Sequence, residues 1–110
     1  MSVTIVNDWK FKEGGNIDKG LAAAAELVEY FKANEPQMRL SLWLRDRNDP
    51  LRFFHVTIFD TYEAFQKICQ TEGIQRFVEQ LYPEIDPASH VAPECDVVLS
   101  SGGTLDPVTL

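Results

Sequence analysis

The sequence predicts one α+β domain in the order β-α-β-β-α-β, an antiparallel four-stranded sheet with two helices on one face. Two observations carry this. Four stretches show strand-like alternation or enrichment in β-branched and aromatic residues, and two others repeat apolar residues at helical spacing. The joints between them are rich in Gly, Pro, Asn and Asp, as turns require.

The first strand is expected over Val3–Phe11 ("VTIVNDWKF"), followed by "KEGGN", whose glycines suit a turn. A helix then runs from about Ile17 to Ala33, with Ile17, Leu21, Ala24, Leu27, Val28 and Phe31 along one stripe. Asn16 or Asp18 can cap its start, and Pro36 stops it by disfavouring helical geometry at Glu35.

Met38–Arg45 ("MRLSLWLR") alternates strictly. Leu40, Leu42 and Leu44 point one way, and Ser41, Trp43 and Arg45 the other. After "DRNDP", Leu51–Phe59 forms the second arm of a hairpin, with Phe54, Val56 and Ile58 on one face and Phe53, His55, Thr57 and Phe59 on the other. Asp60 and Glu63 have the spacing of a capping box for the second helix. That helix's stripe slips phase at "TEG", which predicts a kink or two short helices. "YPEIDPASHVAPE" reads as a proline-punctuated connection, with His90 exposed in it. Cys95–Ser100 reads as the last strand, and 104–110 as a tail after a domain of residues 1–103. The order is that of the ferredoxin-like fold.

In this reading the helices cover the aliphatic face, which leaves Ser41, Trp43, Phe53, His55, Thr57 and Phe59 on the other. Asn7 and Trp9 join them if Val3, Ile5, Asn7 and Trp9 share that side. An aromatic face of that size calls for a cover. A second copy of the chain would supply it, giving a dimeric barrel with a cavity between subunits.

The 110 residues fit one domain, and the net charge of −7 repels a phosphate backbone, so neither nucleic acid nor an anionic membrane is an expected partner. The chain opens on strand-like residues rather than a signal peptide and has no long apolar run, which makes the cytoplasm the expected location. Cys69 and Cys95 read as reduced thiols, and with His55 and His90 they lack the close spacing of a zinc site.

The element order, the junction "FDTYEAF" and the later "RFVEQLYP" resemble the antibiotic biosynthesis monooxygenase family of dimeric α+β barrels, over nearly the whole chain to about Gly103. The resemblance implies a homodimer that oxidises a quinol- or anthrone-like aromatic with dioxygen and no cofactor or metal. Carried onto this sequence, the family's strand-end tryptophan falls on Phe59 and its helix histidine on Ile68, so both are replaced. The strand-one asparagine of haem-degrading members is matched by Asn7, but the absent helix histidine argues against haem ligation.

Such chemistry needs a base and an apolar pocket. His55, with an ordinary pKa near neutrality, is the candidate base. Asn7 is paired with it as catalytic. Asn7 and Ser41 could hold a carbonyl or hydroxyl oxygen, Trp43, Phe53, Phe59 and Trp9 could flank a ring, Thr57 shares this substrate-binding face, and Arg45 could meet an anionic substituent. The alternative is a non-catalytic dimer that binds a small molecule or serves as an interaction module, with His55 held by internal hydrogen bonds.

Overall fold

The computed structural model describes residues 2–99. Residues 100–110 lie outside the described residues, and with them the expected tail 104–110 and the end of the expected last strand. The elements are β1 (Val3–Phe11), α1 (Ile17–Asn34), β2 (Met38–Arg45), β3 (Arg52–Phe59), α2 (Tyr62–Cys69), α3 (Glu72–Leu81), a 3-10 turn (Tyr82–Glu84), β4 (Ile85–Val91) and β5 (Glu94–Cys95). The sheet is antiparallel in the order β2-β3-β1-β4, and β5 also pairs with β1. The fourth position beside β1 is therefore shared by two strands, with Pro93 between them.

Two expectations about the last third need correction. The supposed connection of residues 82–94 contains β4, and the last strand shrinks to two residues. Pro87 disguises β4 as a loop, but proline is tolerated on an edge strand, where no neighbour needs its missing N–H. The second helix is broken at "TEG" into α2 and α3, as its phase slip predicts. Its cap lies one residue later than expected: Thr61 Oγ1 accepts from Ala64 N at 3.0 Å. Asp60 instead pairs with Arg39 across the sheet end.

The larger correction concerns the faces. Register places Val3, Ile5, Asn7 and Trp9 of β1 opposite Phe59, Thr57, His55 and Phe53 of β3. On the other side Ser41 and Trp43 of β2 face Thr57 and His55. This mixed aromatic face is the one beneath the helices, where Ile5, Phe59 and Val3 pack with Leu27, Phe31 and Ile68. Trp9, Phe11 and Phe53 pack with Leu81 and Ile85 in a second cluster. The aliphatic face is the open one: Leu40, Leu42 and Leu44 are 36%, 43% and 44% exposed. Strict alternation separates two faces without saying which is covered. Packing decides it: the large rings of Trp9, Phe53 and Phe59 are buried in clusters with helix residues Leu27, Phe31, Ile68 and Leu81.

Gly20 of α1 is buried because the Phe11 ring lies where a Cβ would be, 2.6 Å away. That contact seats α1 on β1. No helix among the described residues is long and apolar enough to cross a membrane.

Candidate active site

Between the covered face of the sheet and the three helices lies a cavity of about 370 Å³. Its walls are largely apolar, with Trp9, Phe59 and Ile5 from the sheet and Phe31, Phe77 and Leu81 from the helices. The volume and the apolar lining suit a small ligand. Polar groups enter from two directions. Asn7, His55 and Thr57 rise from the sheet floor, while Tyr82, His90 and Glu94 come from the segment after α3. The expected cavity between two subunits is thus one within a single chain.

His55 is 7% exposed because strand alternation turns this residue of β3 inward, beneath the helices. Its Nε2 shares a 2.9 Å hydrogen bond with Ser41 Oγ, and its ring lies flat on Trp43, centroids 3.9 Å apart. Burial pushes its pKa down to about 4, so at neutral pH it is an uncharged imidazole. The expected base with a near-neutral pKa is therefore a much weaker one, since charging it means desolvating a cation.

Asn7 stands opposite His55 on β1. Its Nδ2 donates to the His55 carbonyl at 3.4 Å, and its Oδ1 lies 3.1 Å from His90 Nε2. The His90 ring stands edge-on to Tyr82, centroids 6.3 Å apart. Tyr62 OH donates to Glu94 at 3.3 Å, tying α2 to β5, and the negative charge of Glu94 pushes the Tyr62 pKa up. The Cys69 thiol also lines the cavity, its pKa raised by burial and then by Glu94.

Of the residues expected at the site, Asn7, Trp9, His55, Thr57 and Phe59 line the cavity. Ser41 and Trp43 stand one strand further out and act on it through His55. Phe53 lies behind Trp9, stacked on it with centroids 5.5 Å apart. Arg45 is exposed at the end of β2, opposite Phe53, and does not line the cavity, so no arginine or lysine among the described lining residues awaits an anion.

Sequence reasoning misses His90. A histidine in a connection is expected in solvent, whereas this one is half-buried on β4. The available signal is Ile85 and Val91 bracketing a run whose one proline permits an edge strand. Among the described residues no cluster of three or more His, Cys, Asp or Glu side chains could hold a metal ion.

The sequence profile of the family described as antibiotic biosynthesis monooxygenase matches residues 2–80. No curated protein matches the sequence. Among solved structures, a mutant form of SnoaB, a cofactor-independent oxygenase from Streptomyces nogalater, is similar. It has a TM-score of 0.79 and 16% identity over 93% of this chain and 98% of that one. A Caulobacter crescentus protein described as of the antibiotic biosynthesis monooxygenase type gives 0.80 and 15% identity, covering 89% of this chain and 91% of that one. A further antibiotic biosynthesis monooxygenase gives 0.77 and 23% identity, covering 88% of this chain and 99% of that one. At these identities the likeness is one of fold.

Proposed function

The chain belongs to the antibiotic biosynthesis monooxygenase family, and on that premise we propose that it is a cofactor-independent monooxygenase of a quinol- or anthrone-like aromatic. The observation that carries this reading is the apolar cavity of about 370 Å³ with Asn7, His55 and Thr57 grouped on its floor. Loss of a proton from an activated ring carbon leaves an electron-rich carbanion that reduces dioxygen directly. A ring methylene and O2 give a carbonyl and water: one oxygen atom is kept, the other leaves, and all four electrons come from the substrate.

The chain's part is to place the ring and its oxygen in a dry site. Trp9 and Phe59 bound the ring, while His55 and Asn7 face its oxygen. Being uncharged, His55 meets a substrate hydroxyl as a neutral imidazole whose orientation Ser41 and Trp43 fix. The active form is proposed to be a homodimer, in which a second copy covers the open face of Leu40, Leu42, Leu44, Phe54 and Val56.

The test is oxygen uptake by metal-free protein over hydroquinones, naphthoquinols and anthrones. The reading expects turnover above the spontaneous rate, lowered in His55→Ala by loss of the group that orients the substrate's oxygen. Absence of turnover with every substrate overturns it. The closed surroundings of His55, bonded to Ser41 and covered by Trp43, favour a second reading as a small-molecule carrier. Tight ring binding without oxygen uptake would establish that one.

A further inference from the structure

We propose that His90, carried into the cavity by a bulge of β4, is the base that takes up the substrate's proton. The assignment rests on the oxygenase reading of the cavity and adds to it the group that handles the proton.

The bulge is visible in the register. Asp8 of β1 pairs with Val91, and Lys10 pairs with Asp86, so Trp9 alone stands opposite Pro87, Ala88, Ser89 and His90. The extra residues are pinned rather than loose. Lys10 N donates to Ser89 Oγ at 2.8 Å, Ser89 Oγ donates to the Asp86 carbonyl at 2.6 Å, and Ala88 N donates to Asp86 Oδ1 at 3.1 Å. Bulges beside a pocket commonly serve to re-aim a side chain. Here the side chain is His90, which lines the cavity and reaches Asn7.

The hydrogen bonds also set its tautomer. Asn7 spends its Nδ2 on the His55 carbonyl, so its Oδ1 is an acceptor and His90 Nε2 must carry the proton. In the neutral ring that leaves Nδ1 as the basic nitrogen. Taking a proton there does not disturb the bond to Asn7, which becomes charge-assisted. Protonation of His55, by contrast, would place a cation in a buried site where its Nε2 meets a serine hydroxyl. His90 is half-buried and can exchange its proton with water.

The titratable groups facing the cavity beside His90 are His55 from β3, Cys69 from α2, Tyr82 from the 3-10 turn and Glu94 from β5. The helices α1 and α3 contribute apolar side chains only, such as Leu27 and Phe31, and Ile74 and Phe77. In the proposed step a substrate C–H or O–H bond breaks, its electron pair stays on the ring, and an N–H forms at His90 Nδ1. After the carbanion adds dioxygen, that proton passes to the peroxide. The O–O bond then breaks as the second C–H proton leaves, giving carbonyl and water with His90 neutral again. His90 lies beyond residue 80, where the match to the family profile ends.

The probe is a hydroxyanthraquinone, an already oxidised ring whose phenol changes colour on ionisation. Its apparent pKa when bound is compared in wild type, His90→Gln and His55→Ala, alongside kcat and KM for oxygen uptake. In His90→Gln the amide can still donate to Asn7, so the contact survives while the base is lost. The expected result is a rise of about one unit or more in the bound probe's pKa and a kcat lower by about 100-fold, with KM little changed. Equal ionisation and equal kcat in wild type and His90→Gln overturn the assignment while leaving the oxygenase reading intact. A probe that does not bind wild-type protein overturns both. Should His90→Gln not fold, the wild-type imidazole signals decide by NMR: His90 must gain a proton when the probe binds at neutral pH, and its failure to do so refutes the assignment.

Discussion

The imidazole of His55 lies flat against the indole of Trp43, ring centroids 3.9 Å apart and planes 17° from parallel. With Ser41 on Nε2, the stack holds the ring in one orientation and excludes water from it. That enclosure has a thermodynamic consequence.

Folding lowers the His55 pKa from 6.5 to about 4 through desolvation. Between these values the unfolded chain binds more protons than the folded one. The stability linked to His55 is therefore full above pH 6.5 and falls as pH drops through 4, by of the order of 3 kcal/mol between the limits. Urea midpoints from pH 7.5 to 4.5 should decline in wild type and flatten in His55→Gln. Parallel slopes for the two proteins would count against the enclosure. Asp8, Asp49 and Glu84 have lowered pKa values, so their contributions are lost at more acidic pH.

Gly20→Ala should destabilise the protein even though alanine is the better helix former. The gain in propensity is about 1 kcal/mol. Against it, a Cβ at this position would lie 2.6 Å from a carbon of the fully buried Phe11 ring, and such overpacking costs about 1–3 kcal/mol. A chemical denaturation midpoint lower than wild type confirms the contact, and a higher one refutes it.

Leu42 sits in the middle of the open face, opposite Val56 and 43% exposed. Under the dimer proposal, Leu42→Glu should shift sedimentation from about twice the chain's 12.5 kDa to the monomer, with unchanged circular dichroism. A variant that sediments like wild type would remove this face from the interface.

Much of the fold is legible because it is local. β1, α1 and β2 follow from alternation and helical spacing, and the break between α2 and α3 from a phase slip at Gly73. Which sheet face is covered is not local. Leu42 and His55 sit in equally regular patterns, and only packing against α1 and α3 decides between them. At the site, Asn7 and His55 could be named because β1 and β3 are regular strands. His90 could not, since its direction comes from a bulge whose register depends on β1, more than seventy residues away in sequence.

β2 is paired only with β3, so its outer row of amide and carbonyl groups has no strand beside it among the described residues. Its centre, "LSLWL", combines branched and aromatic side chains with no charge and no proline, the composition that lets strands of different molecules stack into fibrils. Arg39 and Arg45 bound this segment as charged gatekeepers on either side. Neutralising both would leave the cavity lining untouched, yet newly made chains would aggregate faster. The identity of these two arginines thus bears on how the protein survives its own synthesis.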